Sequence, residues 1–353
     1  MKKNVLVIGA CLLIFFNSGC GRKGPLQEPV PRIPQAVSDF RAVQQGPCLI
    51  FSWTVPASYL DGTPLELFSV ELRAMEVRDQ AVPGQKTTDS SFFMKYSRPL
   101  AGLAMGRLEV GTNRAVLWLE MDKVSGKNYL FGLRIKGKKG SWSEISNLVA
   151  IRPEVLPLPP SGLKAEVGEY LISLSWEPPE VGLDGRPLEE KILYNLYRSQ
   201  TGEFRLLNEQ PLNRTSFEDL DFSFGLAYRY LVRSVVARGG EYRESADSEM
   251  LEVKAVDVFP PARPVEVRAL SGADGVTISW LPNREKDLAG YRVYRAKEGA
   301  AGEEAVVLLT PENLTVPTFL DSSVEKNTGY VYSICAVDNS GNESPPARVK
   351  VRI

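Results

Sequence analysis

Of the residue types that carry most enzyme chemistry, one is missing outright: the 353-residue chain contains no histidine. That removes the usual general base, the Ser-His and Cys-His nucleophile pairs and the commonest zinc ligand. No Gly-x-Gly-x-x-Gly, Walker or Gly-x-Ser-x-Gly run is present. The 43 aspartates and glutamates would suffice for a paired-carboxylate hydrolase, yet they are scattered through strand and turn patterns that already account for them. Of the 4 cysteines, Cys11 lies in an apolar run. Cys48 and Cys335 stand singly in different repeats, so no disulfide is expected between them. That leaves the thiol of Cys20. Before it come Lys2 and Lys3, an apolar run from Val5 to Phe16, and the small pair Ser18 and Gly19. This is the layout of a secretory signal peptide over residues 1–19, its apolar run well short of the ~20 residues a bilayer span needs. The expectation is a non-enzyme with no cofactor and no metal site.

The leader resembles a bacterial lipoprotein signal, in which a lipid is attached to the cysteine thiol and cleavage makes that cysteine the first residue. The resemblance implies lipidation at Cys20. It departs from the family pattern three residues earlier, where Asn17 stands in place of the usual Leu or Val. The run that follows, Cys20-Gly21-Arg22-Lys23-Gly24-Pro25-Leu26, resembles the mature start of small outer-membrane lipoproteins that assist maturation of the lipopolysaccharide translocon. That implies partner binding by Gly21, Arg22, Lys23, Gly24, Pro25 and Leu26, with an outer-membrane protein complex as partner. The plainer reading of the same residues is a lipidated tether, 20–34. Gly21 stands where many lipoproteins carry an Asp that retains them in the inner membrane. Its presence implies the outer membrane, with the chain facing the periplasm.

The remainder reads as globular: 43% hydrophobic, 24% charged, formal net charge −1. There is no polybasic block, so no nucleic-acid partner is expected. A repeat sets the organisation. Pro159-Pro160 and Pro260-Pro261 each open a run of strand, turn and a second strand ending in tryptophan, Leu171 to Trp176 and Val276 to Trp280. Tyr194 to Ser199 then answers Tyr291 to Ala296, both alternating as half-buried strands do. Phe217-Glu218-Asp219 parallels Phe319-Leu320-Asp321, and Tyr228 to Val232 parallels Tyr330 to Ile334. A divergent earlier copy has Leu49 to Trp53 and Tyr129 to Ile135. Its Leu60-Asp61-Gly62-Thr63-Pro64-Leu65 recurs as Leu183-Asp184-Gly185-Arg186-Pro187-Leu188, and Asp-Gly is turn chemistry. The surplus near residues 79–107 is expected to be a long loop or an extra hairpin, with Phe92, Phe93 and Met94 either docked on the sandwich or forming a partner surface.

The Pro-Pro openings, Trp176, Trp280, the Tyr-x-x-Tyr-Arg strands and the run from Ala336 to Ser344 resemble fibronectin type III domains, immunoglobulin-like β-sandwiches. The resemblance implies an all-β chain: a divergent sandwich with an insertion over 35–154, then fibronectin type III domains over 155–257 and 258–353. It implies core positions for Trp53, Trp176 and Trp280, and tyrosine corners at Tyr129, Tyr228 and Tyr330. Asp338 to Ser344 alternates oxygen-bearing side chains but lacks a calcium-loop spacing and reads as a hairpin turn. Lys136, Lys138 and Lys139 beside Trp142 form either a solvated hairpin tip or a contact for an anionic partner. Two functions stay open: a periplasmic scaffold docking on the translocon through Gly21 to Leu26, or an adhesion module that contacts polysaccharide or protein through its sandwiches.

Overall fold

A computed structural model describes residues 32–77, 89–138, 140–299 and 306–353. Cys20 and Gly21 to Leu26 lie outside them. The chain divides into two compact units, one running to Glu154 less residues 45–47, the other holding those three and everything from Val155 on.

The first unit is built from β1 (Arg41–Gln45), β2 (Cys48–Val55), β3 (Leu67–Val77), α1 (Ser90–Tyr96), β4 (Arg98–Pro99), β5 (Ala104–Met105), β6 (Gly111–Trp118), α2 (Met121–Val124), β7 (Asn128–Gly137) and β8 (Val149–Ile151). Its sheets run β1-β2-β6-β5 and β4-β3-β7-β8. Strand β2 buries alternate residues up to Trp53 and Val55, each 1% exposed, because side chains along a strand point to opposite faces. They pack with Phe40, Phe51, Leu72, Leu133 and Ile135 in one core.

The second unit holds two sandwiches. The first has β9 (Ser161–Val167), β10 (Ile172–Glu177), β11 (Leu193–Ser199), β12 (Arg205–Leu206), β13 (Ser216–Asp219), β14 (Ala227–Arg238), β15 (Glu241–Glu244) and β16 (Leu251–Lys254). A sheet β9-β10-β13 packs on one made of β12-β11-β14 with β15 and β16 both paired to β14. The next has β17 (Val265–Gly272), β18 (Gly275–Leu281), β19 (Leu288–Lys297), β20 (Val307–Leu308), β21 (Thr318–Asp321), β22 (Gly329–Asp338) and β23 (Ala347–Arg352). Its sheets run β17-β18-β21 and β20-β19-β22-β23. A three-stranded sheet packed on a sheet of these connections, over a core with one tryptophan, is the fibronectin type III arrangement. The fold is tandem all-β sandwiches.

Buried serines close each sandwich at its last strand. Ser143 and Ser146 each give their backbone N–H to a carbonyl of β7 and accept that same residue's N–H on Oγ, at Ile135 and Leu133. Ser245 and Ser248 do this to Ser234 and Val232, and Ser344 to Ala336. One residue thus satisfies both backbone groups where the strand departs from the ladder, as buried amides require. The recurring Asp-Gly turns are alike too. Gly62 and Gly185 adopt φ of 81° and 75°, the left-handed region that glycine enters without a Cβ clash. Asp61 and Asp184 accept the N–H two residues on.

The insertion adds a helix that was not expected. The described part of the insertion, from residue 89 on, forms α1, capped by the Asp89 side chain accepting from Ser91 N, then β4 and β5, which pair antiparallel with β3 and β6. Phe93 is fully buried against Val77, Leu130 and Ile145, while Phe92 and Tyr96 meet on the exposed side with their rings tilted, centroids 4.6 Å apart. So Phe93 docks, and Phe92 does not.

Candidate functional site

The conspicuous residues fall first into structural roles. Trp53, Trp176 and Trp280 are core residues, the last two meeting Tyr194 and Tyr291 edge-on at 5.5 and 5.0 Å. Tyr228 and Tyr330 are corner tyrosines: their hydroxyls accept the N–H of Ser223 at 2.8 Å and of Glu325 at 3.0 Å. Tyr129 packs half-buried against Phe131, with no hydrogen bond to its hydroxyl among the described residues, so the expected corner does not close there. Cys48 and Cys335 are free and buried. Burial pushes the Cys335 thiol up to about 11, away from reactive thiolate chemistry.

Carboxylates of Asp257, Asp287 and Asp338 approach within 4.8 Å of one another, an arrangement the sequence did not suggest. Asp338 already accepts hydrogen bonds from Ser340 N, Asn342 N and Asn342 Nδ2. Asp257 accepts from Ser340 Oγ and Phe259 N. The Asp338 to Ser344 segment is the hairpin turn its pattern implied, with Gly341 at φ 90°.

Within each sandwich the strand registers bring the same positions together, and two clusters emerge. The inner one ties sheet to sheet. In the middle sandwich Arg198 on β11 donates to Asp219 of β13 at 2.6 Å, and Tyr230 of β14 donates to the same oxygen at 2.8 Å. Both charged side chains are 3% exposed. The last sandwich repeats this with Arg295, Asp321 and Tyr332, both hydrogen bonds at 2.7 Å. Burial works to raise the Asp321 pKa, and hydrogen bonds from Tyr332, Ser323 and Arg295 outweigh it and hold the carboxyl below its usual range. In the first sandwich the same register positions carry Ala74, Leu117 and Phe131, an apolar set in its core.

The outer cluster lies on the opposite face of the same sheet, at the residue before the closing serine. In the middle sandwich that residue is Glu244, which accepts from Tyr197 at 2.6 Å and from Arg233 at 2.7 Å, with the Arg233 guanidinium 4.3 Å from the Tyr197 ring. In the last it is Glu343, which accepts from Tyr294 and pairs with Arg292. In the first it is Trp142. The Arg134 guanidinium lies 4.4 Å over its ring and Lys136 Nζ 5.7 Å from it. Lys136 Nζ is also 6.0 Å from the ring of Phe68, which is 66% exposed. Phe68 sits at a bulge in β3, between Leu67 paired with Gly137 and Ser69 paired with Lys136. Bulges re-aim side chains in this way. Of the lysines expected at this tip, Lys138 pairs with Glu66 at 3.8 Å and Lys139 lies outside the described residues. Sequence reasoning found Trp142 and Lys136 but missed Phe68 and Arg134. A lone exposed Phe at the start of an otherwise alternating strand was the available signal.

No protein-family model matches the chain. Over 202 residues it is 31% identical to exoglucanase B of Cellulomonas fimi, which is 54% of this chain and 16% of that protein. It is 32% identical over 133 residues to an amylopullulanase of Thermoanaerobacterium thermosulfurigenes, 36% of this chain and 6% of that protein. It is 38% identical over 89 residues to an amylopullulanase of Thermoanaerobacterium saccharolyticum, 25% of this chain and 6% of that protein. The chain therefore spans a small fraction of the length of these relatives. Among solved structures it is similar to the FN1–FN3 domains of chicken CNTN1, with 14% identity, 91% of this chain and 100% of that one covered, and a TM-score of 0.27. It is also similar to a segment of two fibronectin type III domains from chicken tenascin, with 21% identity, 55% and 99% covered, and a TM-score of 0.36. The strand order within each sandwich, rather than these overlaps, identifies the fold.

Proposed function

We propose that this chain is a non-enzymatic, membrane-anchored binding protein whose sandwiches present outward faces to polysaccharide. One observation carries this reading: the polar groups of the sandwich interiors are committed to tying sheet to sheet, as in Arg198, Asp219 and Tyr230, which leaves the outward faces for contact. The similarity to stretches of an exoglucanase and two amylopullulanases supports polysaccharide as the ligand class. Those stretches are small parts of large proteins, which suits an accessory module. The anchor rests on sequence alone: lipid on Cys20 holds the chain at the outer membrane, facing the periplasm. Lipid-anchored attachment needs more than one acyl chain to be firm.

The test is retention of the full chain, purified from membranes, on a panel of polysaccharides, with reducing ends assayed in parallel. Retention without release of reducing ends is expected. Failure to bind any member of the panel, or release of reducing ends, would overturn the reading. Cys20→Ser should leave the protein unlipidated and shift it out of the membrane fraction.

A second reading is favoured by the run from Cys20 to Leu26: Gly21 to Leu26 docks on an outer-membrane complex, the lipopolysaccharide translocon by resemblance, while the sandwiches brace it. Changing Gly24, Pro25 and Leu26 to Ser with Cys20 intact should then impair translocon assembly. Unchanged assembly and permeability in a lipidated variant would remove this reading.

A further inference from the structure

We infer that the outward face of the first sandwich, at Phe68, Lys136 and Trp142, is a binding site for an acidic polysaccharide. The inference rests on the polysaccharide reading above and gives it a place and a charge.

The chemistry of the three sandwiches diverges at one register position. In the middle and last sandwiches the residue before the closing serine is a glutamate that neutralises the face around it: Glu244 takes Arg233 and Tyr197, and Glu343 takes Arg292 and Tyr294. In the first sandwich an indole stands there. Arg134 keeps a carboxylate, Glu71 at 3.0 Å, but Lys136 has none within ion-pair distance among the described residues. Its ammonium lies instead near two rings, 5.7 Å from Trp142 and 6.0 Å from Phe68. Cation–π contacts at the surface hold a charge in position without cancelling it. The result is a positive charge within reach of two aromatic rings, one of them two-thirds exposed. An exposed ring offers a flat apolar surface to the C–H face of a pyranose, and the ammonium beside it offers an ion pair to a carboxylate or other anionic substituent on that sugar. A neutral glucan would use the rings alone and leave Lys136 unanswered. The bulge that turns Phe68 outward costs ladder pairing at that point in β3, as bulges beside functional sites do.

The experiment is affinity electrophoresis of the full chain in gels containing polygalacturonate, dextran or no polymer, with the same variants in each. Wild type is expected to be retarded by polygalacturonate and much less by dextran. Lys136→Met should weaken the retardation about threefold to fivefold, the scale of one exposed charge pair, and Lys136→Arg should retain most of it. Phe68→Ser should weaken it in both polymers. Added salt should weaken the polygalacturonate interaction. The control is Lys326→Met, an exposed lysine in the last sandwich, which should change nothing. Equal loss in Lys326→Met and Lys136→Met would mean attraction by overall charge and overturns the inference, as does undiminished retardation in both Lys136→Met and Phe68→Ser. Retention on dextran with neither variant affected sinks this site while leaving the polysaccharide reading standing. Retention on no polymer sinks both. Binding to anionic phospholipid vesicles at the expense of polygalacturonate would reassign the face to a membrane and also counts against it. Since all three residues are outward-facing, each variant is checked for an unchanged melting temperature.

Discussion

The first sandwich and the two that follow share a frame and differ in how they hold it together. All three have the buried tryptophan at the end of an early strand and the serine that closes the last one. The later two tie their sheets with Arg, Asp and Tyr. The first has Ala74, Leu117 and Phe131 there and adds a buried helix residue, Phe93. The lesson is that one scaffold accepts a buried ionic tie or an apolar one at the same positions. Replacing a buried ion pair by apolar residues of similar volume is often neutral, whereas removing one partner is not. The outer face differs at the matching position, with glutamate in two sandwiches and tryptophan in one, and beside that tryptophan Lys136 has no carboxylate within ion-pair distance among the described residues.

The largest effect should come from breaking the tie on one side. Asp219→Ala takes the buried carboxylate from Arg198 and Tyr230 and leaves Arg198, 3% exposed, only the exposed Asp221 at 2.8 Å, so it should cost about 3 kcal/mol, the low end for a broken buried pair, seen as faster hydrogen exchange through β13 and β14. The triple change Arg198→Met, Asp219→Leu and Tyr230→Phe, which imitates the apolar set of the first sandwich and leaves no buried hydroxyl without its acceptor, should recover most of that loss. Next is Phe93→Ala. Emptying a buried aromatic site typically costs about 3–5 kcal/mol, and the low end is expected because α1 is short and free to undock, with protection lost in α1 before the strands beneath it.

Acid should act on the last sandwich through Asp321. Its folded pKa lies below the unfolded value, so its contribution is present above the unfolded carboxylate range, about 3.9, and is lost as pH falls through the folded value. A melting series from pH 6 downward should show that loss, and Asp321→Asn should flatten it. The smallest effects separate the corner tyrosines. Tyr228→Phe and Tyr330→Phe each remove a hydrogen bond to a backbone N–H and should cost about 1 kcal/mol. Tyr129→Phe should stay within about 0.5 kcal/mol.

Much of this frame was legible in the chain. Trp53, Trp176 and Trp280 end alternating strands, and two of three corner tyrosines could be placed from the repeat alone. Arg198 and Asp219, and their counterparts Arg295 and Asp321, were visible as repeated letters but not as pairs. Their contact runs across the core between strands with no fixed spacing, and a charge at an inward position is read from sequence only once the facing strand is known. Helix α1 was missed because its one buried residue, Phe93, gives no periodicity over seven residues. The Trp142 tip was legible as a cluster of types. Its meaning came from register, which set Trp142 against Glu244 and Glu343.

The central claim is that contact chemistry is concentrated on the first sandwich while the others serve as frame. Hydrogen exchange of the full chain with and without polygalacturonate tests it most directly. The account predicts added protection confined to β3 around Phe68, β7 and the segment to Trp142, with β11, β14, β19 and β22 unchanged. Protection centred on those later strands, or none anywhere at saturating polymer, would contradict it.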